Sequence, residues 1–483
     1  METRACGRLR GSSNGDLNTW RSAETCTRVW PSETLSFMGT STITGPAARP
    51  EARPSTRSGN APTAYSITDR LSKRALYLAL FLVGFALRFG FVLWKHMYIS
   101  APGSILPFGA EVCSIAERIA EGRGFSSPFY IETGPTAWIA PVYPYMAALV
   151  FRVFGVFSAA SAFVLIFLQC LMAAATGISI YALGQRCFGP RVAWWAAWIW
   201  AVSPIFFRWP VSWIWDFTAS ALLLSVALVI TLDTAKGATL RSWLLLGSVW
   251  ALIALTNPAL LSVMPFSFLY AASANYKTGA NWIRSLVYSG VLFAALVSPW
   301  LIRNYRVFHQ PVFFRSNYWF EFHLGNYHGS NGLGYTGFHP GVSAVELSKY
   351  TAWGELRYID YYKYKSFAFV RKYPSEFVDL TLHRTLWFWD GSPLNYWTRE
   401  WWKPWEFWPL SLLGWLGLIF VCTRRPSGRI LFASVLIVYP IPYYLAYPVA
   451  KYRHAIEPEL LLLAVYFAFV LWGEIRSLAR WKS

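Results

Sequence analysis

Glu111 stands in Phe108-Gly109-Ala110-Glu111, directly after the first long apolar segment, where a carboxylate could accept a proton at a membrane surface. From Gly109 to Gly122, Val112, Ile115, Ala116, Ile119 and Ala120 recur at helical spacing, while Glu117, Arg118 and Glu121 take the opposite face. This pattern predicts an amphipathic helix lying in the membrane interface, with Glu111 in its first turn. A carboxylate there either complements the positive end of the helix dipole or acts as a general base at a cavity mouth. An aromatic, proline-rich turn follows, Gly134-Pro135-Thr136-Ala137-Trp138 and Pro141-Val142-Tyr143-Pro144.

A second acid, Asp216, lies in Trp213-Ile214-Trp215-Asp216-Phe217, between two apolar runs. Acids at membrane depth are costly and usually have a task. Asp216 could orient an acceptor, hold a metal or pair with Arg208; at a turn it could equally be solvated. Cations form a third set: Arg303 at the end of Pro299-Trp300-Leu301-Ile302-Arg303-Asn304-Tyr305, and Lys451, Arg453 and His454 in Lys451-Tyr452-Arg453-His454. Such donors suit a phosphate, which Arg can grip through two parallel bonds. The plainer reading is snorkelling to headgroups. Arg88, inside the first apolar run, is expected to face protein rather than lipid. Gly332-Leu333-Gly334-Tyr335-Thr336-Gly337 spells a dinucleotide-binding pattern, but no strand precedes it and no helix pattern follows, so a glycine-rich loop is expected.

The elements that must hold these groups are membrane helices. Only 14% of the 483 residues are charged and 55% are hydrophobic, against about 25% charged in a soluble globule. Spans of about 20 apolar residues are expected near 75–96, 158–183, 192–208, 216–233, 242–256, 258–275, 285–302, 406–423, 430–448 and 455–474. The pair between Ser242 and Tyr276 is broken at Asn257-Pro258 and reads as two spans or a re-entrant hairpin. Arg70, Lys73, Arg74, Arg186, Arg191, Lys236, Arg241, Lys277, Arg284, Arg424, Arg425, Arg429, Arg476, Arg480 and Lys482 then all fall on one side, taken as cytoplasmic. That topology accounts for the net charge of +19 and argues against nucleic acid as a partner. The six cysteines form no CxxC pair, so neither a disulfide framework nor a zinc cluster is expected.

Four regions follow. Residues 1–70 read as a disordered cytoplasmic tail, and Met38 is an alternative start. Residues 71–302 form a transmembrane module with a first external loop at 97–157. Residues 303–405 form a large external loop, partly helical from Val345 to Val378 and rich in tryptophan from Trp387 to Trp408. Those rings are either an interfacial belt or a sugar-stacking surface. Residues 406–483 supply the C-terminal spans.

In the order and sidedness of these pieces the chain resembles the GT-C glycosyltransferases that use polyprenyl-phosphate sugars, in particular the protein O-mannosyltransferases and the lipid A aminoarabinose transferase. The pieces are Glu111, Ala120-Glu121-Gly122-Arg123-Gly124-Phe125, Pro141-Val142-Tyr143-Pro144, Phe154-Gly155, Pro299 to Tyr305, Gly325-Asn326, and Tyr452-Arg453-His454 before Glu457-Pro458. The likeness extends over about residues 75–475. Two departures stand out. The family has Asp, often in an acidic pair, where this chain has Glu111 after Ala110. Some relatives place a Lys where Thr136-Ala137-Trp138 stands here.

The resemblance implies an all-α polytopic bundle of about ten transmembrane helices with interfacial helices and a large external loop. It implies sugar transfer from a polyprenyl-phosphate donor to an acceptor hydroxyl, with inversion, on the extracytoplasmic side of a bacterial inner membrane. Glu111 would be the base and Asp216 its helper. Arg303, Lys451, Arg453 and His454 would meet the donor phosphate, and Trp138, Tyr143 and Asn326 the substrate. The partners would be a lipid, glycan or protein acceptor and membrane lipids. No metal site is evident in the sequence, and related enzymes differ on metal use, which leaves a divalent metal open. The rival readings are a flippase or transporter of lipid-linked sugars, which would show inverted repeats that the sequence lacks, and a non-catalytic membrane scaffold.

Overall fold

The computed structural model describes residues 64–100, 107–237, 239–276, 281–391 and 403–481, with side chains omitted for 64–73, 403–406 and 477–481. The tail expected at 1–70 therefore lies almost wholly outside the described residues, as do Trp397, Trp401 and Trp402. Residues 64–70 prove to be helical: α1 runs Ala64–Lys95. Pro62 precedes it, and neither proline nor glycine interrupts it before Gly84.

The described chain is helical throughout, and its only β pairings are isolated bridges. After α1 come two short helices, α2 (Ala110–Ala120) and α3 (Val142–Phe154), then α4 (Ala159–Cys187) and α5 (Pro190–Val202). The one-turn α6 (Arg208–Ser212) leads to α7 (Phe217–Lys236), α8 (Leu240–Ala254), α9 (Met264–Tyr276) and α10 (Trp282–Phe308). The long segment that follows folds into α11 (Tyr318–Gly325), α12 (Ala344–Trp353), α13 (Glu355–Lys372) and α14 (Pro374–Asp390). The chain closes with α15 (Lys403–Arg424), α16 (Arg429–Ile437), α17 (Ile441–Leu445), α18 (Ala450–Arg453) and α19 (Glu457–Trp481).

Six helical stretches among the described residues are long and apolar enough to cross a membrane: Arg74–Lys95, Ala159–Cys187, Phe217–Lys236, Trp282–Phe308, Phe407–Arg424 and Ala450–Arg476. The chain is thus a multi-pass, all-α membrane protein. The other expected spans exist as shorter helices. Pro204 ends the one expected at 192–208, and the remainder becomes a 3-10 turn and α6. Pro440 and Pro442 divide the one at 430–448 into α16 and α17. The break at Asn257-Pro258 is real: the Asn257 side chain accepts the Ala259 N–H, and a 3-10 turn at Pro258–Ser262 leads into α9.

Two apolar cores hold the fold. One lies among α4, α5, α7, α8, α16 and α19. The other gathers α2, α3, the 125–143 turn, α11, α12 and α13. This second core corrects the expectation for α2. Val112, Ile115 and Ala116 are at most 2% exposed, so its apolar stripe is buried in protein rather than in headgroups. Arg88 behaves as expected of an intramembrane cation. It is fully buried and donates to the Trp200 and Ala201 carbonyls at the end of α5, at 2.6 and 3.1 Å. Those carbonyls have no partner within their own helix.

Candidate functional site

The chain stitches Glu111 and Asp216 to one place through a short backbone pairing. Phe108 and Ile214 form a parallel bridge, and the Ile214 N–H donates to the Pro107 carbonyl at 2.9 Å. Each acid then opens a helix: Glu111 lies in the first turn of α2, and Asp216 is the residue before α7. Gly109 makes the close approach possible. A Cβ there would stand against the Trp215 ring and 2.6 Å from the Ile214 carbonyl oxygen. Gln169 of α4 secures the second strand, donating to the Pro210 carbonyl and accepting the Trp215 N–H at 3.1 Å.

Both acids line a cavity of about 840 Å³. Its wall also carries Lys451, Arg315, Glu321 and His339, with Trp213, Trp215, Tyr443, Tyr447 and Tyr452 between them. The Lys451 ammonium rests among aromatic faces, 5.2 Å from the Trp213 ring, 5.3 Å from Trp215 and 5.5 Å from Phe217. Rings attract the charge without satisfying its N–H donors. Arg315 donates through Nε to Asn317 at 2.8 Å, and Asn317 in turn donates to Glu321. That leaves the two terminal nitrogens of its fork for a ligand. The Tyr447 hydroxyl closes the other side of Glu321 with a short hydrogen bond.

The two acids sit in different states. Burial pushes Glu111 up, but the hydrogen bond and charge of His339, together with its own backbone N–H and Lys451, outweigh this and hold it below the ordinary carboxylate value. The His339 Nε2 lies 3.1 Å from Glu111 Oε1. Asp216 is only 9% exposed, and its Oδ1 has no hydrogen-bond partner. Burial raises its pKa to about 7, despite the opposing pull of Arg315 and Lys451. Glu111 is therefore held toward its ionised form, while burial favours the protonated form of Asp216. No ion pair joins Asp216 to Arg208, which stacks on Trp209 at 5.1 Å. Among the described residues no group of three His, Cys, Asp or Glu side chains could hold a metal ion.

Of the residues singled out from sequence, Glu111, Asp216 and Lys451 meet in this cavity; the other six are engaged elsewhere. Arg303 donates to the Thr136 and Phe125 carbonyls, both at 2.6 Å, and so ties the 125–136 turn to the end of α10. Arg453 is 1% exposed and bonds Ser411 at 2.8 Å, the Trp389 and Phe407 carbonyls and Glu457. His454 is fully buried and bonds Glu457 at 2.7 Å. Tyr143 donates to Gln169 at 2.6 Å and thereby supports the Trp215 segment from behind. Trp138 is fully buried against Phe129, Phe320 and Tyr350. Asn326 donates to the Phe322 and Leu445 carbonyls and accepts from Arg384. The common physical reason is that each sits where the chain itself offers acceptors or packing.

Sequence reading missed Arg315, Glu321 and His339, which all come from the long 303–405 segment. Its glycine-rich run is part of the cavity wall, through Leu333, Gly334, Thr336, His339 and Gly341. Of the tryptophans from 387 to 408, Trp387 lines the cavity, Trp389 is buried and Trp408 is half exposed.

Residues 138–302, about a third of the chain, match the family model described as dolichyl-phosphate-mannose-protein mannosyltransferase. The matched stretch contains Asp216 but neither Glu111 nor Lys451. No curated protein matches the chain. Among solved structures it is similar to the oligosaccharyltransferase of Archaeoglobus fulgidus in complex with Zn and sulfate, at 15% identity, over 83% of this chain and 49% of that one, with a TM-score of 0.49. It is similar to AglB of the same organism, in complex with an inhibitory peptide and a dolichol-phosphate, at 13% identity, over 86% and 52%, with a TM-score of 0.45. It is also similar to ArnT from Cupriavidus metallidurans bound to undecaprenyl phosphate, at 12% identity, over 84% and 78%, with a TM-score of 0.35. The chain spans about half the length of the archaeal chains.

Proposed function

We propose that this chain is a membrane glycosyltransferase of the GT-C type, which moves a sugar from a polyprenyl-phosphate donor to an acceptor hydroxyl on the extracytoplasmic side, with inversion. The observation that carries the reading is the convergence of an ionised carboxylate, a second carboxyl and two under-used cations on one cavity. The mannosyltransferase-type match over residues 138–302 supports the same class.

The geometry suits the following step. The acceptor oxygen attacks the anomeric carbon and gives its proton to Glu111. The bond from that carbon to the phosphate oxygen breaks, and its electron pair stays on the polyprenyl phosphate. Lys451 and the Arg315 fork meet the charge that develops there, where fixed donors help most. Asp216, carrying a proton part of the time, places the acceptor by accepting or donating a hydrogen bond. In this assignment the cationic work falls on Lys451 and Arg315, while Arg303, Arg453 and His454 hold the frame.

The test uses purified protein in liposomes with a labelled polyprenyl-phosphate sugar and candidate lipid, glycan and peptide acceptors. Label should move to an acceptor in the wild type and not in E111Q, with E111Q still folded cooperatively. Movement of the lipid across the bilayer without transfer would replace this reading with a flippase.

A further inference from the structure

We infer that His339 is a positioning residue for Glu111: it holds one carboxylate oxygen from across the cavity, so that the remaining lone pairs face the acceptor proton. The inference rests on the glycosyl-transfer reading and adds to it a residue outside the matched family stretch.

The hydrogen bonds of the ring fix its proton. His339 Nδ1 accepts the Gly341 backbone N–H at 3.1 Å. A nitrogen that accepts carries no hydrogen, so the proton of the neutral ring sits on Nε2, the atom that lies 3.1 Å from Glu111 Oε1. Buried aromatics wall the ring on the side away from the cavity. Phe129 meets it edge-on at 5.6 Å, with Phe320 at 5.7 Å and Trp138 at 6.2 Å. The backbone is pinned too. The His339 N–H donates to the Thr336 carbonyl at 2.9 Å, and the His339 carbonyl accepts from Val342 and Ser343 at 2.8 and 2.9 Å. This fixes a loop side chain in a way an ordinary surface ion pair does not require. The buried Trp138, singled out from sequence as a substrate contact, is one wall of this clamp.

The charged groups facing His339 are Glu111 from α2, Glu321 from α11 and Lys451 from α18. Those facing Glu111 are His339 and Lys451. Burial pushes His339 down, but Glu111 and Glu321 prevail and leave it above its usual value. Each partner thus favours the charged form of the other, while the Gly341 N–H on Nδ1 favours the neutral ring. Removing His339 must raise the Glu111 pKa, and the acid limb of activity, which follows ionisation of the base, must move to higher pH.

The experiment compares wild type, E111Q, H339Q and H339F in liposomes with the same labelled donor. Gln can present an N–H near the position of Nε2; Phe keeps the ring volume and removes the bond. H339F should lose roughly 10–100-fold in kcat at neutral pH, with donor KM nearly unchanged and the acid limb shifted upward. H339Q should recover most of kcat and return the limb toward the wild-type position. A limb in H339F that stays where the wild type has it overturns the inference, as does an H339Q limb displaced as far as that of H339F. Should H339F not fold, imidazole ¹⁵N NMR decides the matter independently. The histidine signal missing from H339Q should titrate at lower pH in E111Q, and an unmoved midpoint overturns the inference. A wild type that transfers no sugar sinks the parent reading with it, whereas H339F transferring like the wild type sinks the role of His339 alone.

Discussion

Two clusters in this chain use the same chemical parts, and only one faces a cavity. At the cavity, Glu111 meets His339, with Lys451 and Arg315 near by. Between α15 and α19, Glu457 meets His454 and Arg453. The second set is 0–3% exposed, and Arg453 is spent on Ser411, two backbone carbonyls and Glu457. In the first set, the Asp216 Oδ1 lacks a partner and the Lys451 ammonium is met only by ring faces and longer-range charge. Residue types alone do not distinguish a frame from a site; hydrogen-bonding capacity left open to a cavity does.

The largest contrast is expected from matched carboxylate variants. E111Q should lower transfer by about 10²–10⁴-fold, the usual worth of a general base, and lower thermal unfolding far less than it lowers transfer. E457Q should do the reverse, because it leaves the Arg453 charge buried with less compensation. A loss of roughly 3–5 kcal/mol is typical when one partner of such a pair is removed. Thermal unfolding in detergent together with transfer in liposomes measures both. If E457Q removed transfer while leaving stability intact, the two clusters would have exchanged roles.

The adjacent cations sharpen the same comparison. K451M should raise the donor KM by about 10-fold or more with little change in unfolding, as expected for loss of one charge-assisted phosphate contact. R453M, two residues on, should lower the unfolding temperature instead. Sequence could not separate this pair. Lys451-Tyr452-Arg453-His454 reads as one cationic motif, yet α18 turns Lys451 into the cavity and Arg453 into the bundle.

Much else was legible. The period of the apolar runs gave the long spans, because a helix must bury its backbone polar groups when lipid surrounds it. Lone Asp216 and Glu111 stood out against apolar neighbours. What was not legible depends on contacts between distant segments. His339 reaches Glu111, and Arg315 reaches the same cavity, only after the 303–405 segment has packed on the 125–143 turn. Glu355 of α13 helps to lock that docking by accepting the Ala137 N–H at 2.8 Å and the Ser316 hydroxyl at 2.7 Å. No local pattern announces such a contact.

A pH comparison separates the two cavity acids. The folded pKa of Asp216 is raised from 3.8 to about 7, so between these values the folded chain holds a proton that the unfolded chain has released. Stability therefore falls as pH rises through that window. Glu111 has the opposite sign. Its folded value is depressed from 4.5, so its contribution is present above 4.5 and is lost as pH falls through the folded value. D216N should flatten the decline between pH 4 and 7 in the unfolding temperature. A D216N curve parallel to the wild type would mean that Asp216 is solvated and ionised, and that the cavity holds one working acid.

The smallest effect, and the most local, is expected at the junction that brings the acids together. G109A adds one methyl where the Trp215 ring and the Ile214 carbonyl already stand. Overpacking of this kind costs roughly 1–3 kcal/mol, part of which the junction can relieve by parting the Phe108–Ile214 bridge. The unfolding temperature should drop modestly. Transfer should fall further than stability does, because the displaced segment carries Asp216 away from Glu111. G189A is the control: that glycine, with φ of 91°, has no atom waiting within 4 Å of a new Cβ, and it opens α5 rather than the cavity. It should therefore cost stability through backbone strain while leaving the ratio of transfer to folded protein unchanged. If G109A also left that ratio unchanged, the short pairing of residues 107–109 with 213–215 would be ordinary packing, and the alignment of the two acids would have to come from α2 and α7 themselves.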